Sequence, residues 1–281
     1  MSTAETWLKE NSFGKIVRSE TVEGGCINNS SRLFLESGIS LFLKENSNTP
    51  ADMFHAEAIG LKTLGERRAI RVPQVIHAED DFLLMEDLGQ NSVSTTFWID
   101  LAEGLAELHK ATSAQFGFTI DNYCGSTRQE NTLSNNGHEF FATYRILKLA
   151  SLAFYRKLIE IEDLAALENI AKNLSLLIPQ QDAVLIHGDL WAGNIHCCKN
   201  CEPALIDPAP YWGWAEAELA MTNLFGGFSK KFYEAYESNS QIEKNWRERM
   251  PIYNIYHLLN HLLLFGTSYL APIRNITKRF T

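Results

Sequence analysis

The chain is poor in cysteine, and the few it has are odd in number: five in 281 residues, three of them between Cys197 and Cys201. An odd, clustered set is no disulfide scaffold, so a reduced, cytoplasmic protein is expected. There is no block of lysine and arginine: 25 basic against 34 acidic residues leave a net charge of −9, which argues against nucleic-acid and anionic-membrane partners. No apolar run is long enough to span a bilayer. The greasiest stretch, 255–265, is interrupted by Tyr256, His257, Asn260 and His261. Residues 1–15 are polar and lack the apolar segment of a secretory leader. The G-x-x-x-x-G-K-[ST] phosphate loop is missing as well, which excludes a P-loop NTPase. Hydrophobic residues are not scarce: at 45% they suffice for one large domain or two lobes without disulfides or structural metals.

The most informative stretch is His187-Gly188-Asp189-Leu190-Trp191-Ala192-Gly193-Asn194, followed by Ile206-Asp207-Pro208. An aspartate and an asparagine stand five residues apart, with a second aspartate after a short hydrophobic run. A phosphotransfer site uses this set: one carboxylate accepts the proton of the attacking hydroxyl, and an amide and a second carboxylate hold Mg²⁺ against the ATP phosphates. Asp189 is the expected base, ionised at neutral pH if its pKa is an ordinary one. Asn194 and Asp207 are the expected metal ligands, hard oxygen donors suited to Mg²⁺. His187 reads as a residue that holds the loop by hydrogen bonding.

The remaining parts lie upstream. Polarity alternates over 15–23 and again over 31–35 and 39–44, predicting three strands around a Gly24-Gly25-Cys26 turn. Such a turn can lie over phosphates because glycine lets backbone N–H groups approach closely. Lys44 ends the third strand, and Glu57 follows thirteen residues later on a helix predicted over 53–64. Either residue alone reads as an ordinary surface charge. Together with Asp189, Asn194 and Asp207 they read as the lysine–glutamate pair that orients ATP phosphates. Glu86-Asp87-Leu88 ends a buried strand over 82–85 and reads as a hinge whose backbone meets the adenine edge. The expected fold is therefore α+β with two lobes, protein-kinase-like: an N-terminal antiparallel sheet plus helix over 1–88 and a larger, mainly helical lobe over 89–281. In the second lobe the periodicity predicts helices over 98–110, 140–160, 162–177, 215–224, 229–238 and 246–264, and 117–131 reads as an ordered loop.

Gly188 separates this chain from protein kinases, whose loop carries His-Arg-Asp; His-Gly-Asp is found in small-molecule kinases of the aminoglycoside phosphotransferase and choline kinase type. More narrowly, the chain resembles the fructosamine kinase (ketosamine-3-kinase) family nearly end to end. The resemblance rests on Gly24-Gly25-Cys26-Ile27-Asn28-Asn29, Phe42-Leu43-Lys44, Arg71-Val72-Pro73, Phe116-Gly117-Phe118, Asp121-Asn122-Tyr123, the loop at His187, Asp207-Pro208-Ala209, Leu224-Phe225-Gly226-Gly227-Phe228 and the run from Tyr253 to His261. Ala192 stands where the family commonly has serine, and Pro210 and Trp212 depart from the usual neighbours after Asp207. The resemblance implies transfer of the ATP γ-phosphate to the 3-hydroxyl of ribulosamine, erythrulosamine or fructosamine adducts, small or protein-bound, with ATP and Mg²⁺ as cofactors. The product is unstable and releases the amine, which is a deglycation.

A polyol bearing a cationic amine needs hydrogen-bonding side chains, an aromatic face and negative charge. Trp191, Asp121, Tyr123, Tyr211, Glu216, His257 and His261 are the candidates, each as readily a structural residue when taken alone. Cys26, beside the glycines and near Lys44, is a redox candidate whose oxidation, including to an intermolecular disulfide linking a homodimer, would distort the lid. His196-Cys197-Cys198-Lys199-Asn200-Cys201 invites a zinc reading but lacks a second separated pair of ligands, so an exposed, reduced turn is expected. Two other functions stay open on the residues: another small-molecule kinase of the same fold, and a nucleotide-binding module without transfer activity.

Overall fold

The computed structural model describes residues 3–22 and 28–280. Helix α1 (Thr3–Glu10) leads into strands β1 (Ile16–Val22), β2 (Asn29–Leu35) and β3 (Ser40–Glu45), helix α2 (Met53–Glu66), and strands β4 (Val75–Ala78) and β5 (Phe82–Glu86). The strands form one antiparallel sheet in the order β1-β2-β3-β5-β4. Its pleat sorts the side chains. Leu33, Leu35, Leu41, Leu43, Phe82 and Leu84 face α1 and pack on Ala4 and Leu8. Leu83 and Met85 face α2 and pack on Phe54, Ala58 and Leu61. Because side chains alternate along a strand, Lys44 shares the α2 side with Phe42. That alternation is what aims the lysine at Glu57.

The second part begins with α3 (Phe97–Leu108), β6 (Thr112–Ser113), β7 (Asn122–Cys124) and β8 (Thr127–Gln129). It continues through α4 (Gly137–Phe140), a π-helical stretch (Phe141–Leu147), α5 (Lys148–Tyr155), α6 (Ile161–Lys172) and α7 (Leu174–Leu177). Strands β9 (Ala183–Ile186), β10 (Ile195–Cys197), β11 (Pro203–Leu205) and β12 (Tyr211–Gly213) follow, then α8 (Ala215–Leu224), α9 (Lys230–Asn239), α10 (Trp246–Phe265) and α11 (Leu270–Phe280). Helix α10 is buried on almost every side and forms the axis of the large core. The expected boundary at Leu88 falls between β5 and α3. No described helix is long and apolar enough to cross a membrane.

Several elements differ from expectation. The region 117–131 is not all loop, because β7 and β8 pair as a hairpin whose turn needs Gly125 at positive φ. The helix expected over 140–160 is broken by the π-helical stretch, where Arg145 turns fully inward. Its guanidinium donates to Glu130 O at 2.7 Å and Asn131 Oδ1 at 2.6 Å, and its Cζ lies 4.0 Å from the centre of the Tyr211 ring. Helices α1 and α11 and the four-residue strand β4 are additional to the elements expected.

Three acceptor candidates turn out to hold the fold. Tyr211 is buried in β12 beneath Arg145. Asp121 accepts from Asn131 N at 3.0 Å and pairs with Arg128 at 3.2 Å, closing the base of the β7–β8 hairpin. Glu216 is 1% exposed and binds Arg249 through two hydrogen bonds, one of them at 2.7 Å, and Tyr253 Oη at 2.9 Å, tying α8 to α10. Breaking a buried charge pair leaves the surviving charge uncompensated. Glu216→Gln should therefore lower folding stability by about 3 kcal/mol, read in thermal melts, while the KM for the acceptor stays within a few-fold of the parent. A raised KM with an unchanged melting temperature would return Glu216 to the acceptor site.

Candidate active site

Strand β9 is buried throughout and delivers His187 and Gly188 into the core. The His187 ring donates from Nε2 to Ile206 O at 2.9 Å, because a carbonyl can only accept. Its Nδ1 is then left to accept from Asp189 N at 3.3 Å. Burial holds the ring below its usual pKa, which keeps it neutral and fixes this tautomer. One neutral ring thus ties the loop of Asp189 to the strand end before Asp207, which is the role expected of it. Glu218 secures the same loop from below, accepting from His187 N and, at 3.2 Å, from Gly188 N. It does not face the acceptor.

Gly188 has a physical reason. At φ 83° it lies so close to β12 that a Cβ would stand 2.0 Å from Ala209 O. An arginine could not occupy this position without moving the Asp207–Tyr211 segment. Gly193 is constrained by its own neighbour: a Cβ there would meet the Trp191 ring at 2.3 Å. The tryptophan folds back over the glycine and stands edge-on to Phe225, with ring centres 6.4 Å apart.

Lys44 reaches from β3 to both expected carboxylates, 2.5 Å from Glu57 Oε1 and 2.6 Å from Asp207 Oδ1. Burial alone would lower the lysine pKa, but the two carboxylates outweigh it and hold the ammonium charged well above its ordinary range. Asp207 adopts φ 55°, a left-handed conformation uncommon outside glycine and asparagine or aspartate, and this directs its carboxylate at Lys44. Asn194 donates from Nδ2 to Asp189 O at 2.7 Å and to Asp189 Oδ2 at 3.2 Å. That orientation leaves its carbonyl oxygen as the end able to take a metal. Asn194 and Asp207 thus present hard oxygen donors beside the Lys44 ammonium, a set that fits Mg²⁺.

Two open clefts meet here. The first, about 1100 Å³, runs under the sheet along Val22, Phe42, Met85 and the hinge Glu86-Asp87-Leu88 to Lys44, Asn194 and Asp207. The second, about 1070 Å³, runs from the same three residues past Asp189 to Tyr123, Trp191, Asn260 and His261. Asp189 lines only the second. The hinge side chains are engaged in structure: Glu86 pairs with Arg71, and Asp87 with Arg32 at 2.9 Å. The Leu88 carbonyl already accepts from Lys199 N at 3.0 Å, so it is turned to the β10–β11 hairpin. Gly24, Gly25 and Cys26 lie at 23–27, outside the described residues.

Of the acceptor candidates, Tyr123, Trp191 and His261 line the second cleft, and His257 sits behind Asp189 without lining it. The sequence reading missed Asp52, which accepts from Tyr123 Oη at 2.5 Å and anchors that ring from α2's N-terminus. It also missed Cys124, which lines the cleft from β7. The cysteine turn differs too, since Cys198 is buried rather than exposed.

Residues 1–281 match the fructosamine kinase family model. The chain belongs to that family. It is 37% identical over 270 residues to a probable ketoamine kinase of Synechocystis, covering 94% of this chain and 90% of the relative. It is 36% identical over 281 residues to the chloroplastic protein-ribulosamine 3-kinase of Arabidopsis thaliana, covering 96% and 84%. A crystal structure of a candidate fructosamine-3-kinase from Thermobifida fusca superposes with a TM-score of 0.90 at 30% identity, covering 98% of this chain and 97% of that one. The two-lobed fold is protein-kinase-like, and the chain is a kinase by family.

Burial pushes Asp189 up to about 7, with the neighbouring charges of Asp207 and Glu218 acting in the same direction and the Asn194 hydrogen bond opposing them. The proton-accepting form is therefore populated above that pH and lost below it. kcat/KM should fall on the acid side with an apparent pKa no higher than about 7. Raising Mg²⁺ should move that limb lower, since a cation nearby favours the carboxylate. A pH–rate profile flat down to pH ~4, the ordinary carboxylate value, would contradict the role of Asp189.

Proposed function

We propose that this protein transfers the γ-phosphate of ATP to the 3-hydroxyl of ketosamines, small or protein-bound, with residues 1–88 covering the nucleotide and 89–281 holding the acceptor. The observation that carries the reading is the junction of the two clefts. ATP in the first would bring its γ-phosphate to Lys44, Asn194 and Asp207. A hydroxyl in the second would meet that phosphate with Asp189 beside it. Mg²⁺, held by Asn194 and Asp207, supplies charge neutralisation of the phosphates when bound. Lys44, fixed between two carboxylates, offers its charge to the phosphate oxygens, and Asp189 accepts the hydroxyl proton.

The acceptor cleft suits a sugar joined to an amine. Trp191 gives an aromatic face for the carbon ring or chain, and Tyr123, Asn260 and His261 give hydrogen-bonding groups. The cationic amine is favoured by the excess of carboxylates at the junction, where Glu57, Asp189 and Asp207 face a single lysine. Phosphate placed next to the ketone becomes a leaving group once the ketone enolises toward the amine-bearing carbon; its elimination leaves a conjugated imine, and hydrolysis of that imine by water frees the amine. The fructosamine kinase family and the names of the relatives support the same acceptor class. A cytoplasmic setting agrees with the free thiols of Cys124, Cys197, Cys198 and Cys201.

Coupled ADP release measured with ribulosamine, erythrulosamine, fructosamine, choline and kanamycin tests the acceptor. A ketosamine should give a kcat/KM at least ~100-fold above the other two classes; turnover of choline or kanamycin alone would reassign the substrate. Asp189→Ala should lower kcat by ~10²–10⁴-fold while the ATP dissociation constant stays within a few-fold. Loss of nucleotide binding in that variant would make Asp189 a structural residue.

A further inference from the structure

Behind Asp189, away from the phosphate junction, lies a second group of donor atoms. Cys124 Sγ from β7, an Asp189 carboxylate oxygen and a His257 ring nitrogen from α10 all fall within 4.8 Å of one another. Cys124 is 1% exposed and His257 5% exposed. His257 Nδ1 is 3.8 Å from Asp189 Oδ1, beyond hydrogen-bond reach, and has no hydrogen-bond partner. The contact is not an ion pair, because burial, with His261 and Arg145 adding to it, drives the imidazole down to about 3 and keeps it neutral. Asn260, one turn along α10, donates from Nδ2 to Cys124 O at 3.1 Å, and its own Oδ1 is likewise buried without a partner. An orphaned ring nitrogen beside a thiol and a carboxylate calls for an occupant, since a buried polar atom left unpaired costs about 1–3 kcal/mol.

The donor set selects the occupant. A thiolate is soft, an imidazole borderline and a carboxylate hard, the combination that binds Zn²⁺-class ions tetrahedrally. Mg²⁺ requires an octahedron of oxygens and has no fit here. With Zn–ligand bonds of about 2.0–2.3 Å, the edges of the tetrahedron are roughly 3.3–3.8 Å. The 3.8 Å between His257 and Asp189 already meets this, and a contraction of about 1 Å brings in the rest. Cys124 and Asp189 line the acceptor cleft, so the fourth position opens to water or substrate there.

We propose that Cys124, Asp189 and His257 form an inhibitory site for a thiophilic divalent ion of the Zn²⁺ class, whose binding takes Asp189 out of proton transfer. On binding, Cys124 loses its thiol proton to solvent and coordinates as thiolate, His257 coordinates through the Nδ1 lone pair with its ring proton on Nε2, and Asp189 gives one oxygen. No redox change is involved. The inhibition rests on Asp189 being the base in the proposed kinase reaction; the metal site does not.

Co²⁺ substitution tests the site without turnover. The parent protein should bind one Co²⁺ with tetrahedral visible bands and a thiolate-to-cobalt charge-transfer band, and Zn²⁺ should bleach both. Cys124→Ser should lose the charge-transfer band, and His257→Gln should weaken Co²⁺ binding by at least tenfold. A Cys197→Ser/Cys201→Ser double variant should keep the spectrum. In the kinase assay, micromolar Zn²⁺ should inhibit the parent, excess Mg²⁺ should not relieve it, and Cys124→Ser should need at least tenfold more Zn²⁺ for the same fractional loss. Absence of the charge-transfer band in the parent, or its persistence in Cys124→Ser, overturns the proposal. A normal band in a protein that turns over no ketosamine would sink the acceptor reading and leave the metal site standing.

Discussion

The buried ammonium of Lys44 is the constraint around which the two halves of the chain are arranged. It links β3 to α2 through Glu57 and to the far end of the catalytic region through Asp207, 163 residues away. Burying one charge without partners is prohibitive, and here two carboxylates offset the desolvation. The arrangement leaves the trio with one net negative charge before any ligand arrives. It is thereby matched to a divalent cation and a phosphate together rather than to either alone. The sheet, α2 and the β11–β12 connection must all keep their relative positions for this lysine to remain satisfied, so the nucleotide end of the site is pre-formed rather than assembled on binding.

The catalytic loop is fixed by a different kind of force. Neutral hydrogen bonding through His187, two backbone N–H groups on Glu218 and the close approach of Gly188 to Ala209 hold Asp189 without any charge of their own pointing at the acceptor. The environment this creates is largely buried and carries like charges, which raises the Asp189 pKa above that of an ordinary aspartate. The same packing makes His187 and Glu218 supports of the loop.

What could be read from the sequence follows from locality. Lys44, Glu57, Asp189, Asn194 and Asp207 sit in short motifs whose spacing is set by one strand, one helix and one loop, and the structure brings all five together. Trp191 was legible because it is two residues from the base. The acceptor wall was legible only in part: Tyr123 and His261 carry suitable chemistry and do line the cleft, but the wall joins β7 to α10 across more than a hundred residues, and only tertiary packing decides that Cys124 faces it and Glu216 and Tyr211 do not. Glu216 and Tyr211 carry suitable chemistry, yet they are turned inward by Arg249 and Arg145, two arginines whose burial no periodicity announces. Arg145 owes its position to a π-helical stretch, a local widening that leaves no compositional trace.

Asp189 stands between two kinds of coordination chemistry. On the phosphate side Asn194 donates to it from Nδ2, with the Asp207 carboxylate nearby; on the other side stand a thiol and an imidazole. Hard and soft donors discriminate between cations by geometry and polarisability, so Mg²⁺ on Asn194 and Asp207 and a thiophilic ion on Cys124, Asp189 and His257 share no ligand. A cleft that takes a sugar-amine needs polar groups close to the base, and α10 supplies Asn260 and His261, with His257 one turn earlier behind Asp189. Packing a cysteine from β7 against that same helix face converts part of an acceptor wall into a metal-competent pocket. Proton transfer and metal capture then compete for the same lone pair.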